Sequence, residues 1–272
     1  MMVKCATATP GEVQLFRTLT DLEQLAETCR FKAWFLDQWQ TTLSWCNFNM
    51  HVPICEFDHF EKLATNGTKM VIISNSSRRA STTMTKMKSL GFDPSFFEGA
   101  VTSGELTHQY LQRRDDPWFA ALGSLKVVEN VEEAEFVLVH GTEVLGLPSG
   151  NICPVSIEDL EKILEQCTLA AKYEKLGGEV KWMGKPDKII YKSAMAMVGV
   201  DASDSIAVGD SLHRDIKGAN EAGIASAFIT GGIHATELGL SSFGQVADLS
   251  SIKTLAAKYD AHPTYMLPAF AW

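Results

Sequence analysis

Residues 205–223 read SIAVGDSLHRDIKGANEAG. A short apolar run stops at Gly209-Asp210, a second acid follows at Asp215, and small residues lead into a helix that ends at Gly223. The same figure recurs along the chain. AWFL (33–36) ends in Asp37, KMVII (69–73) in Ser74-Asn75, VKWM (180–183) in Gly184-Lys185, and ASAFI (225–229) in Thr230-Gly231-Gly232. Runs this short and with little alternation suit strands buried on both faces of a parallel sheet.

Helix-like stretches separate these runs. Residues 78–90 stop at Gly91, and 186–198 carry Pro186 in the first turn, where a missing N–H costs nothing. Residues 156–176 open with Ser156-x-x-Asp159, set Ile157, Leu160, Ile163, Leu164 and Cys167 on one stripe, and end at Gly177-Gly178. The alternation predicts an α/β doubly wound parallel sheet, in which ligands sit at the carboxyl ends of the strands. The polar steps that end the runs are therefore the candidate functional residues.

The middle of the chain reads differently. Thr102-x-x-Glu105 starts a helix, Asp115-Asp116-Pro117 breaks it, 136–140 is strand-like, and Leu147-Pro148-Ser149-Gly150 is a loop. The sequence thus predicts a core formed by 1–103 and 179–272, with a small α/β cap inserted at 104–178.

Composition narrows the function classes. The chain has 272 residues, 46% of them hydrophobic and 21% charged, an ordinary globular balance. Its net charge of −9 opposes a chain built to bind nucleic acid, which needs a dense Lys/Arg face. The apolar runs are far shorter than a membrane span, and the first residues have no charged-then-apolar signal layout. The six cysteines form no C-x-x-C pair, so free thiols in a reducing cytoplasm are expected rather than a disulfide frame or zinc site.

Taken together, Asp37, Ser74-Asn75, Lys185, Asp210 and Asp215 are the groups that metal-assisted phosphoryl transfer needs. One aspartate attacks phosphorus, a second helps it hold Mg2+, which favours hard oxygen ligands, and lysine with hydroxyl or amide donors neutralises the phosphoryl oxygens. Singly each has a plainer reading. Asn75 suits a turn, Asp215 a helix first turn, and His213 an exposed helix position with no assigned role.

Order and context favour the joint reading. IISNSSRRA (72–80), GKPDKIIY (184–191) and GDSLHRDIKGANEAG (209–223) resemble the second, third and fourth motifs of the haloacid dehalogenase (HAD) superfamily. With TSGELT and YEKLGG between them, they are similar to subfamily IIA, the capped branch of NagD-like, nitrophenylphosphatase-like and pyridoxal-phosphatase-like enzymes. The resemblance implies a HAD-like Rossmannoid core and a phosphatase of small phosphorylated metabolites. It implies Asp37 as nucleophile and Mg2+ ligand, the Trp39 backbone carbonyl and Asp210 as further ligands, and Ser74 with the Asn75 backbone amide as phosphate donors. Lys185 would neutralise the phosphate, and Asp215 would orient the lysine and the metal's waters.

The first motif is degenerate. The family form D-x-D-G-x-[LTV] carries a second aspartate that protonates the leaving group, and Trp39 stands in its place. Gln40-Thr41 replaces the expected Gly-Val, and Ser44-Trp45 replaces Asp-Gly. The cap is also short. Gly123-Ser124-Leu125 runs straight into Lys126-Val127-Val128, and Gln166-Cys167-Thr168 into Leu169-Ala170-Ala171, without the segments the family places there. Three altered blocks beside well-kept motifs read as an alternative transcript or a mis-assembled gene model of an ordinary member. Two functions remain: an impaired Mg2+-dependent phosphatase, or a catalytically silent HAD-fold protein that binds a phosphate ligand or a partner. Oligomeric state is not legible in the sequence.

Overall fold

The runs at 33–36, 69–73, 205–208 and 225–229 are strands in the computed structural model, which describes residues 17–26, 30–38, 58–113, 138, 144–146, 152–154 and 180–272. The first part of the chain holds β1 (Arg17–Thr18), α1 (Leu22–Ala26), β2 (Ala33–Asp37), α2 (Asp58–Thr65), β3 (Lys69–Ser74), α3 (Ala80–Ser89), β4 (Gly99–Thr102) and α4 (Ser103–Arg113). After β5 (Val144–Gly146) and β6 (Ile152–Pro154) come α5 (Ile189–Val198), β7 (Ser205–Gly209), α6 (Lys217–Ala222), β8 (Ala225–Ile229), α7 (Leu249–Tyr259) and β9 (Tyr265–Leu267). Seven strands form one parallel sheet in the order β1-β9-β8-β7-β2-β3-β4, while β5 and β6 pair antiparallel. The fold class is the α/β doubly wound sheet expected from the sequence.

Successive side chains of a strand point to opposite faces, and here both faces are dry. Trp34, Leu36, Met70, Ile72, Ile206 and Val208 pack on one side with Leu22 and Leu25 of α1, Phe60 and Leu63 of α2 and Met87 of α3. Ala33, Phe35, Val71, Ile73 and Ala207 pack on the other with Leu106 of α4, Ile190, Ala194 and Val198 of α5 and Ala219 of α6. This double cover is why the runs show no polar alternation. Burying a side chain such as Phe35 or Ile72 is worth roughly 1.5–3 kcal/mol. α5 stops where Gly199 adopts φ 64°, a left-handed turn that a residue with a Cβ enters only at a cost.

The VKWM run is not a strand. Residues 180–183 form a connector without regular secondary structure, with Lys181 and Trp182 exposed and Met183 packed against the core. Lys181 interrupts the apolar pattern, and the sheet place beside β2 is taken by β7. The helix expected from residue 186 begins at Ile189, because residues 184–188 turn first and the Asp187 carboxylate accepts the Ile189 N–H at 2.8 Å. The helix expected from residue 78 begins at Ala80.

Thr102 starts α4 as expected, its hydroxyl accepting the Glu105 N–H at 3.0 Å. The first turns of α4 dock on the core through Leu106. The helix at 156–176 and the loop at 147–150 lie outside the described residues, as does most of 136–140; Leu138 is described and is not in a strand. Among the described residues no helix is long and apolar enough to cross a membrane.

Candidate active site

The strand order reverses between β2 and β7. From β2 the chain winds outward through β3 and β4; from β7 it winds the other way through β8 and β9. Helices therefore leave a crevice at the carboxyl ends of this strand pair, the place where such sheets bind ligands. Asp37 ends β2 and Asp210 directly follows β7, whose Val208 pairs with Leu36. Ser74 ends β3, one step beyond the residue paired with Asp37, and is fully buried.

Lys185 reaches this crevice from the connector before α5. Its ammonium donates to Asp37 Oδ1 and, at 2.7 Å, to Asp215 Oδ1, with all three side chains buried. Asn75 holds the connector by both ends of its carboxamide. Its Oδ1 accepts the Lys185 N–H at 2.7 Å and its Nδ2 donates to the Lys185 carbonyl at 2.8 Å. Asn75 thus does more than the sequence assigned to it, since its side chain positions the lysine that its backbone amide was expected to assist.

Asp215 lies in a widened helical turn, Leu212–Ile216, in which both the Asp215 and Ile216 N–H groups donate to the Ser211 carbonyl. The Asp215 Oδ2 accepts the Ser211 N–H at 3.0 Å, and the Tyr191 hydroxyl donates to the Asp215 carbonyl at 2.9 Å. A Cβ on Gly209 would lie 2.3 Å from Asp215 Cγ, so this close approach requires glycine. Asp210 Oδ2 accepts the Ile233 N–H at 3.0 Å, and a Cβ on Gly232 would meet the same carboxylate at 2.2 Å.

Oxygens of Asp37, Asp210 and Asp215 lie within 4.8 Å of one another. Among the described residues one ammonium faces three carboxylates, which leaves two of their negative charges uncompensated when all are ionised. Burial, then the charge of Asp215, push the Asp37 carboxyl up to about 6 despite the opposing pull of Lys185. Burial, then the charges of Asp215 and Asp37, push Asp210 up to about 7. Burial works against the Lys185 ammonium, but the same two carboxylates outweigh it and hold its pKa above the ordinary lysine value. A hard divalent cation fits this donor set: buried carboxylate oxygens, close spacing, and a charge deficit equal to its own.

The structure therefore gathers Asp37, Ser74, Asn75, Lys185, Asp210 and Asp215 at one place. Trp39 lies outside the described residues, and the role given to its carbonyl lies there with it. His213 stays apart, half-buried, with Nδ1 3.2 Å from the Ser211 hydroxyl. A small hollow of about 100 Å3 near Lys32 and Thr68 lies at the opposite, amino ends of β2 and β3 and has none of these groups.

Sequence reading missed the supports around the site. Glu105 of α4 accepts from Arg79 (2.7 and 3.1 Å) and from the Ala80 N–H (3.2 Å), capping α3 from a neighbouring helix. The T-x-x-E signal thus serves two helices, since Thr102 caps α4. A Cβ on Gly104 would stand 1.9 Å from the Ser77 carbonyl, so α4 and the loop after Ser74 are tightly apposed. Gly231-Gly232 is legible in the sequence as the step that ends the 225–229 run, but its close approach to Asp210 is not.

Residues 56–137 match the family model "Haloacid dehalogenase-like hydrolase", and residues 182–268 match "HAD-hyrolase-like". A dihydroxyacetone phosphatase of Corynebacterium glutamicum is 28% identical over 85 residues, and the match spans 31% of each chain, about a third of that relative. A haloacid dehalogenase-like hydrolase structure from Brucella suis is similar with a TM-score of 0.61 and 21% identity, over 92% of this chain and 99% of that one. A possible sugar phosphatase from Cytophaga hutchinsonii gives 0.59 and 15% over 93% and 98%, and a 4-nitrophenylphosphatase from Thermotoga maritima 0.53 and 16% over 89% and 95%. At these identities the structures establish a shared fold. With two models of one superfamily matching residues 56–137 and 182–268, the chain belongs to the haloacid dehalogenase-like hydrolases.

Proposed function

We propose that this protein is a Mg2+-dependent phosphatase that hydrolyses a small phosphomonoester through a phosphoryl group carried on Asp37. The observation that carries the reading is the buried cluster of Asp37, Asp210, Asp215 and Lys185 at the sheet's switch point. Asp37 and Asp210 would hold the cation, with the Trp39 carbonyl as the further protein ligand implied by the family pattern. When bound, Mg2+ supplies charge neutralisation for the phosphoryl oxygens.

The chain's own residues do the rest. The Asp37 carboxylate attacks phosphorus, the ester oxygen leaves with its electron pair and takes a proton, and water then cleaves the acyl phosphate to restore Asp37. Lys185, anchored by Asp215 and by the Asn75 clamp, presents positive charge beside the nucleophile. The Ser74 hydroxyl, buried at the end of β3, offers a donor to the phosphoryl group.

With Trp39 where the family's second aspartate stands, the leaving oxygen takes its proton without that carboxylate. A general acid is typically worth about 10²–10⁴-fold, so turnover is slow. The insert at 104–178 is proposed as the cap that selects substrate. The six cysteines without C-x-x-C spacing support a reducing, cytoplasmic setting.

The test is turnover of a panel of small phosphate esters with Mg2+, beginning with dihydroxyacetone phosphate because of the Corynebacterium relative. Hydrolysis that requires Mg2+ and vanishes in Asp37→Asn and Asp210→Asn supports the reading. Turnover equal in these variants, or independent of metal, refutes it. Metal-dependent phosphate binding without turnover assigns the silent, ligand-binding form.

A further inference from the structure

The segment after β8 grips the acidic loop from outside through three consecutive residues. Gly232 leaves room for the Asp210 carboxylate, Ile233 donates its N–H to Asp210 Oδ2 at 3.0 Å, and His234 Nε2 accepts the Leu212 N–H at 3.3 Å. His234 is only 3% exposed. Its Nδ1 lies 2.7 Å from Glu237 Oε2, and Glu237 Oε1 in turn accepts from Lys258 of α7 at 2.8 Å.

A backbone N–H can only donate, so Nε2 is the unprotonated nitrogen and Nδ1 carries the hydrogen given to Glu237. The ring is wedged between Phe228 (centroids 6.0 Å apart) and Tyr259 (5.1 Å), with His213 at 6.2 Å, so it has little freedom to turn. A line of contacts thus runs from α7 through Glu237 and His234 to the turn that carries both Asp210 and Asp215. That turn is a widened one, with Asp215 and Ile216 sharing one carbonyl, and it gains from an outside anchor.

We propose that His234 is a positioning residue: by accepting the Leu212 N–H while Glu237 fixes its ring, it holds the Asp210–Asp215 loop in the form that binds a divalent cation. The inference rests on the metal-dependent reading above and adds to it a residue outside the ligand set. Partners of this kind, one step removed from the metal, are worth about 10–100-fold in affinity.

The experiment uses the purified full chain and Mg2+ alone, titrated calorimetrically, together with amide hydrogen exchange at residues 211–216 in the metal-free protein. His234→Leu removes both bonds while keeping an apolar side chain. It is expected to weaken Mg2+ about 10–100-fold and to speed exchange at 211–216. His234→Gln keeps an acceptor for the Leu212 N–H and is expected to restore most of both. A purely structural histidine would lower the melting temperature of His234→Leu but leave the Mg2+ affinity of the folded protein within about twofold, and that result overturns the proposal.

Unchanged exchange at 211–216 overturns it as well. If His234→Leu fails to fold, Glu237→Leu decides, because it removes the acceptor of the Nδ1 hydrogen and frees the ring from outside. Weaker Mg2+ binding with faster exchange supports the proposal, and wild-type behaviour in both overturns it. A wild-type chain that binds no Mg2+ overturns the metal-dependent reading instead, while the exchange measurements still decide whether His234 fixes the loop.

Discussion

Asp210→Asn is expected to make the metal-free protein more stable while abolishing its response to metal. In the fold the Asp210 carboxyl keeps its proton up to about 7, because it is buried and faces the charges of Asp215 and Asp37. In the unfolded chain it loses that proton near 3.9. Between those values the folded state binds more protons than the unfolded one, so stability falls as pH rises and levels off above about 7. Three pH units at about 1.4 kcal/mol each put the ionised carboxylate at roughly 4 kcal/mol of lost stability.

Asparagine carries no charge, and its Oδ1 still accepts the Ile233 N–H. Its buried amide gives back part of the gain, leaving about 2 kcal/mol, which for a domain of this size is a melting temperature higher by roughly 4–8 °C. The assay is thermal unfolding with a chelator from near pH 5 to near pH 8. Wild type should lose stability across that range and Asp210→Asn should lose less. Saturating Mg2+ should then raise the wild-type midpoint, more at pH 8 than at pH 5, and leave the variant unmoved. A variant less stable than wild type near pH 8 in chelator, or a wild-type midpoint flat in pH, would refute the electrostatic account.

Three further outcomes are expected. Gly232→Ala puts a Cβ 2.2 Å from the Asp210 carboxylate, so the side chain must move; Mg2+ affinity should drop at least tenfold while circular dichroism stays native, and an unchanged affinity would show that the loop yields freely. Glu105→Ala removes the cap of α3 and should cost about 1 kcal/mol, allowing for the exposure of Arg79. Hydrogen bonding from Arg79 holds the Glu105 carboxyl down at about 2, so its contribution is complete above about 4.5 and lost as pH falls toward 2; a wild-type to variant difference that persists at pH 2 would contradict this. Peptide mass spectrometry of native protein across residues 38–60 should return sequences unlike the one written here if the altered first motif is a gene-model error, and matching peptides would reject that explanation.

The legible part of this fold was whatever rests on burial along one strand. KMVII and SIAV are apolar because both sheet faces are covered, and the acids that follow them had to fall at the sheet's carboxyl edge. VKWM misled because Met183 packs alone against the core cluster while Trp182 is exposed, and among the described residues no strand pairs beside it. The YML of β9 and the GAVT of β4 escaped notice because such short segments are strands only by virtue of β8 and β3 beside them. In the site, the motif residues were readable and their supports were not. Glu105 on Ala80 and His234 on Leu212 join segments more than twenty residues apart, and nothing in local spacing announces such a contact.

The pairing of β2 with β7 joins the two halves of the chain along the seam that holds the site, and β1 with β9 joins them again at the sheet's edge. Asp37, Ser74 and Asn75 come from before the insert; Lys185, Asp210 and Asp215 come from after it. Neither half holds the whole site: the first lacks the Lys185 ammonium that faces Asp37, and the second keeps its Lys185–Asp215 pair but lacks Asp37. Separately expressed halves should therefore be inert and should regain cation binding only on reassociation. Residues 114–179 contribute none of these six groups, so on the proposed reading that stretch can be lengthened or exchanged while the seam keeps its charges. On the proposed reading of 104–178 as the cap, the selection of substrate can drift while the chemistry stays put.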